Sequence, residues 1–207
     1  MYFYEVAILR SPLNNLTYQS ENKIEIGTKV LIKLRQRKVL DEAVIIKEVE
    51  EPTFKCSDIN EITNEFYDEK MLQISSFVSQ YYVCSLGEAL SVYNAFDKNI
   101  NKIEIEEKFD SKIVLSPLQE KAKEFLKEKK QALLFANTGA GKTEIYIKSI
   151  EEHLNLDEQA VLLMPEISLT PQMQKRLEKV FGKSVAIWHS KITKKKKVEI
   201  LKGLQEG

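Results

Sequence analysis

LLFANTGAGKTEIYIKSIEEHL, residues 133–154, runs from an apolar segment through a small loop ending in Gly-Lys-Thr into a helical pattern. A helix N-terminus carries free N–H groups and the positive end of the helix dipole, so it attracts anions. A loop that wraps a phosphate chain must bring its backbone close to it, and glycine permits that path. The spacing is that of a phosphate-binding loop, with Ala136 at the first position in place of glycine. Thr138, Gly139, Ala140 and Gly141 are expected to cradle the phosphates, with Glu144 in the first helical turn beside them. Lys142 is expected to reach the β- and γ-phosphates, and the Thr143 hydroxyl to ligate the Mg²⁺ that travels with them.

The pattern continues on both sides of this loop. Ser116-Pro117-Leu118-Gln119 opens a helix: serine caps, proline fits the first turn, and Gln119 completes a capping box. Strands are expected at 131–136, 160–164 and 184–188, and helices at 142–154, 171–181 and 193–205. Strands alternating with helices imply right-handed crossovers and a parallel sheet. PEISLTPQ, residues 165–172, falls at the carboxyl end of one of these strands, where open sheets bind ligands. Thr170 and Pro171 cap and start the following helix.

The first half of the chain reads differently. YFYEVAIL, TKVLIKL and VLDEAVIIKEV are rich in β-formers and partly alternate. RQRK, residues 35–38, would be a basic hairpin tip. Helical spacing begins at Asp68, and Ser85 caps a second helix expected to run to about Phe96. The fold class is therefore a small, mostly-β unit with trailing helices, followed by a parallel α/β unit.

The chain has 207 residues and zero formal net charge, which conceals an asymmetry. Residues 1–112 hold 14 basic and 19 acidic side chains, and the remainder 17 and 12. Lys33, Arg35, Arg37 and Lys38 form one basic cluster, and Lys191 with Lys194 to Lys197 another, each pointing to a local polyanion contact. No run of about 18 apolar residues predicts a membrane span, and the start lacks a secretory pattern. Cys56 and Cys84 are too few and too far apart for a disulfide framework or a metal set.

NTGAGKTEIY, LMPEISLTPQMQKRL and WHSKIT, in that order, resemble the PriA family, the superfamily 2 replication-restart helicases also called primosomal protein N′. VAILRSPLNNLTYQSEN, VLIKLRQRK and FVSQYYVCSLGEALSVY are similar to the family's N-terminal unit. The resemblance implies a 3′-end DNA-binding domain over 1–97, a linker over 98–114 without the usual winged helix, and the first part of a truncated RecA-like lobe over 115–207. It implies an ATP-dependent 3′→5′ DNA helicase that recognises stalled or branched forks and restarts replication by primosome assembly. The alternative is a motor-less module that binds DNA ends or forks.

By the same resemblance, Tyr18 would stack on a base while Thr17 stands where the family has an aspartate. Arg35, Arg37 and Lys38 would hold phosphates. Gln119 would either read the adenine edge or serve only its capping box. Thr170 and Gln172 would line the single-strand path or couple it to the nucleotide. ATP and Mg²⁺ are the expected cofactors, with zinc expected only in a C-terminal part of the family. DNA, single-stranded DNA-binding protein and primosome proteins are the expected partners, in a bacterial cytoplasm near the nucleoid, with no membrane. No D-E-x-H box or second motor lobe occurs before Gly207, so this chain alone is expected to hydrolyse ATP poorly or not at all.

Overall fold

The computed structural model describes residues 1–35, 37–100, 108–165 and 170–207, in two compact units that divide after Ile100. In the first, five strands close on themselves: β1 (Tyr2–Ile8), β2 (Leu16–Ser20), β3 (Thr28–Ile32), β4 (Asp41–Val49) and β5 (Ser57–Phe66). The order is β2-β1-β4-β3-β5, and a short parallel pairing of Tyr18 and Gln19 with Ser57 and Asp58 joins β5 back to β2. The other pairings are antiparallel, including the added β6 (Phe96–Asp97) on β5. Side chains alternate across a strand. Tyr4, Val6 and Ile8 of β1 thus meet Val30, Ile32, Ala43 and Ile45 in a fully buried barrel interior. The intervening Ala7 and Val44 face outward and are covered by helices.

Those helices are α1 (Glu69–Tyr82) and α2 (Leu86–Leu90). Asp68 caps α1 by accepting from Met71 N–H at 2.7 Å, and Val83 ends it at φ 53°. Ser85 and Glu88 form the capping box of α2. That helix is one turn long and does not run to Phe96. The chain turns at Ser91, because Phe96 is taken up by the sheet, paired with Phe66 of β5.

The second unit holds α3 (Pro117–Lys127), α4 (Lys142–Leu154), α5 (Thr170–Phe181), a 3₁₀ turn (Gly182–Ser184) and α6 (Lys194–Glu206). The chain before α3 is fastened along α4. Phe109 N–H donates to Asn155 Oδ1 at 2.8 Å, and Asn155 Nδ2 returns a bond to Phe109 O at 3.0 Å. The Phe109 ring meets buried Phe181 edge-on at 5.6 Å.

Helices stand where the periodicity puts them, but the expected strands do not pair. Among the described residues of this unit, 131–136, 160–164 and 184–188 form no ladder. Parallel strands are stable when both faces are covered. Here Leu133 and Phe135 are each 89% exposed, Val161 82% and Leu163 85%. On the other side Leu162, Met164 and Ile187 line a cavity of about 280 Å³ with Leu177 and Phe181 of α5.

Candidate functional site

The glycine-rich turn is built around two positive-φ residues, Gly139 at 85° and Gly141 at 79°. Gly139 stands in open space, whereas a Cβ on Gly141 would fall 2.1 Å from Gln119 Nε2. α1, α2, α3 and α6 are each capped by a side chain, but α4 has none at its N-cap, Gly141. The N-cap glycine therefore offers its first N–H groups no side-chain acceptor, and Glu144, three residues on, turns its carboxylate to its own N–H. The Lys142 ammonium folds back and donates to Ala136 O at 2.6 Å and Asn137 O at 2.9 Å. A helix start with no side chain at its N-cap, a lysine held among the described residues by backbone carbonyls and an open glycine turn fit a phosphate chain. Thr143 stands next, half-buried in the first turn of α4.

Gln119 uses both ends of its amide. Oε1 accepts from Ser116 N–H at 2.8 Å, the capping box, and Nε2 donates to Gly141 O at 3.0 Å. The start of α3 is thereby tied to the last residue of the loop.

Glu144 carries a partner that local sequence does not announce: its Oε1 accepts from Arg176 Nη2 on α5 at 2.7 Å. Its carboxyl is held below the ordinary range, first by its own backbone N–H and then, against burial, by the Arg176 guanidinium. Nothing within a helical period of Glu144 points to position 176. Gln172 is exposed in the first turn of α5, and 166–169 and the Thr170 side chain lie outside the described residues.

The base of α4 is also electrostatically committed. Burial raises the Glu151 pKa, but hydrogen bonds from Lys148 and Ser111 outweigh it and leave the group lowered. Glu152 behaves likewise between Lys123 and Lys127. A depressed carboxylate contributes stability above its unfolded pKa and loses it as pH falls through the folded one. The second unit is therefore expected to weaken as pH falls below about 4.5. Glu151→Gln is expected to lower its stability by about 1–3 kcal/mol at neutral pH, with the gap closing in acid. Urea melts at a series of pH values followed by circular dichroism check this; a gap independent of pH would refute it.

In the first unit the β3–β4 hairpin carries Lys33, Arg35 and Lys38 exposed at its tip, with Gln36 outside the described residues. Arg37 pairs with Asp41 at the start of β4. Tyr18 requires a correction. Its ring is 5% exposed and belongs to the barrel interior, so it offers no free face for a base. Period-2 alternation on β2 turns it inward, and its hydroxyl donates to Lys33 O at 3.2 Å at the root of the hairpin. Burial, with Asp41 adding to it, pushes that hydroxyl's pKa up.

Among the described residues no helix is long and apolar enough to cross a membrane, and no group of three His, Cys, Asp or Glu side chains stands together as a metal set.

Residues 5–94 match the family described as 3′DNA-binding domain (3′BD) of PriA, and residues 116–206 the family described as DEAD/DEAH box helicase. The replication restart protein PriA of Helicobacter pylori is 36% identical over 204 residues, 99% of this chain and 32% of that protein. Those of Rickettsia felis and Bacillus subtilis are 32% identical over 140 residues and 54% over 63, covering 22% and 8% of their lengths. The chain thus spans about a third of the length of the H. pylori relatives it matches. With both domain families in order and an end-to-end match to the N-terminal portion of such proteins, the chain belongs to the PriA family.

Proposed function

We propose that this chain is the DNA-recognising and nucleotide-gripping part of an ATP-dependent 3′→5′ DNA helicase that acts at stalled or branched replication forks and leads to primosome assembly. The observation that carries the reading is the start of α4, where a glycine N-cap without a side-chain acceptor, two positive-φ glycines and Lys142 converge. Thr138, Gly139, Ala140 and Gly141 supply backbone to the phosphates, Lys142 the charge, and Glu144 a fixed anchor through Arg176. The Thr143 hydroxyl would hold Mg²⁺, which would neutralise charge on the phosphates. Gln119 reads the adenine edge by giving up Gly141 O or the Ser116 N–H. The unit around them is the first part of a RecA-like lobe, over 115–207, joined to the barrel through 98–114.

On the DNA side, Arg35, Arg37 and Lys38 hold phosphates and position the barrel at a strand end. Thr170 and Gln172 lie along the single-strand path. Single-stranded DNA-binding protein and primosome proteins are the proposed partners, in a bacterial cytoplasm at the nucleoid.

Fluorescence anisotropy with forked DNA tests the barrel's share. Arg35→Ala with Lys38→Ala is expected to reduce the steepness of the log Kd against log salt plot by about 2. Two forks differing only in a 3′-hydroxyl or a 3′-phosphate at the junction read end recognition, with the hydroxyl expected to bind more tightly. An unchanged salt slope would remove the hairpin from the interface. Equal binding of the two forks would remove end recognition.

A further inference from the structure

We infer that Trp188 and the lysines at the start of α6 form a contact for a single DNA strand, the indole stacking on a base and Lys191, Lys194, Lys195 and Lys197 holding the adjoining phosphates. This rests on the reading of the chain as a DNA-acting protein. It names a site in the second unit apart from the α4 loop and the barrel hairpin.

The indole belongs to the chain's single tryptophan and is 50% exposed. Tryptophan is on average a well-buried residue. The Lys197 ammonium lies over the ring, 5.3 Å from its centre, so the indole and the first turn of α6 make one surface although nine positions separate them.

That first turn is unusual in its charge. Thr193 caps it by accepting from Lys196 N–H at 3.3 Å, and the next four residues are all lysine. A helix N-terminus is its positive end and favours acidic side chains. Four adjacent cations there oppose both the dipole and one another, so helix stability does not account for them. Lys196 is paired with Glu199 at 3.2 Å. Among the described residues no carboxylate stands within ion-pair distance of Lys191, Lys194 or Lys195. An anion relieves this concentration of charge, and a polyanion relieves several lysines together.

The exposed ring selects among polyanions. A flat aromatic beside cations suits a strand whose bases are unpaired, because stacking needs an open base face. A duplex keeps its bases stacked inside, and acidic side chains themselves have no ring to stack on the indole. As a base arrives on the indole, Lys197 exchanges the ring for the neighbouring phosphate.

The single tryptophan makes the site directly readable. The whole chain, with Arg35→Ala and Lys38→Ala to silence the hairpin, is titrated with an oligothymidylate of about 20 nucleotides at low salt. Saturable quenching of the Trp188 emission is expected, with the same Kd as strand anisotropy. Trp188→Ala is expected to weaken binding about tenfold, and Trp188→Phe to keep most of the affinity. Lys191→Gln, Lys194→Gln and Lys195→Gln together should lower the salt slope by about 2.

Binding without quenching, and with an unchanged slope in the triple variant, would overturn this site while leaving the DNA reading intact. Failure of the unsubstituted chain to bind any DNA would overturn both. Quenching by polyglutamate as strong as by the oligonucleotide would assign the surface to an acidic peptide and overturn the inference.

Discussion

Gly87→Ala is expected to unfold the barrel unit or to cost it about 4 kcal/mol or more, among the largest effects of any single methyl group in the chain. Gly87 lies in α2 where that helix crosses β1. A Cβ there would fall 1.8 Å from Ile8 O, 2.6 Å from Ile8 C and 3.2 Å from Ile8 N. All three are backbone atoms of a central barrel strand, so no flexible side-chain end can give way. Relief requires α2 to lift, and α2 carries Leu90, fully buried against Ala7, Val44 and Tyr67. Gly203→Ala on α6 is the control: nothing stands within 4 Å of its Cβ position, and it should be neutral or raise stability by about 0.5–1 kcal/mol. Urea denaturation of both variants, followed by circular dichroism, gives the comparison. A Gly87→Ala midpoint near the unsubstituted one would mean that α2 does not seat on β1.

That close approach shows what local sequence can and cannot tell. Caps are local events, so Ser85 and Ser116 announce their helices, and the helical periods of α4, α5 and α6 survive in the fold. The hairpin of β3 and β4 is legible too, because two apolar alternating runs flank a short basic tip. Closure of the barrel is not. It depends on β5, whose sequence SDINEITNEF has few apolar residues, and on a pairing with β2 about forty positions away. Tyr18 shows the same limit from the other side. The family resemblance makes it a stacking platform, and the register turns its ring into the core.

In the second unit the apolar runs at 131–136 and 160–164 are plain in composition. Whether they become strands depends on what covers them, and that is not a local property. The candidate site divides in the same way. The loop from Thr138 to Thr143 reads directly from spacing. The bonds that hold it, from Gln119 to Gly141 and from Arg176 to Glu144, cross 22 and 32 positions and leave no periodic trace.

Lys142→Ala is expected to reduce affinity for Mg²⁺-bound ATP by at least about a hundredfold while leaving the fold of the second unit in place. The ammonium makes two hydrogen bonds, both to carbonyls of its own loop, Ala136 O and Asn137 O. No carboxylate neutralises it among the described residues. Removing it frees two acceptors at a partly exposed loop, where water replaces the bonds at small cost. With a nucleotide present, the same ammonium would make charge-assisted bonds to phosphate oxygens, each contributing about 1.5–3 kcal/mol. Two such bonds account for a hundredfold or more.

Gly141→Ala separates the loop's shape from its charge. Its Cβ would meet Gln119 Nε2 at 2.1 Å, but this is the end of a movable side chain, and the residue would also hold φ at 79°. The expected result is a strained loop costing about 1–2 kcal/mol, with the bond from Gln119 lost and weaker nucleotide binding, though less weak than in Lys142→Ala. Titration with a fluorescent ATP analogue, with melting curves alongside, ranks the three proteins. Affinity of Lys142→Ala within threefold of the unsubstituted chain would mean that the ammonium does not leave its carbonyls for a phosphate. The start of α4 would then be a structural turn and not a nucleotide site.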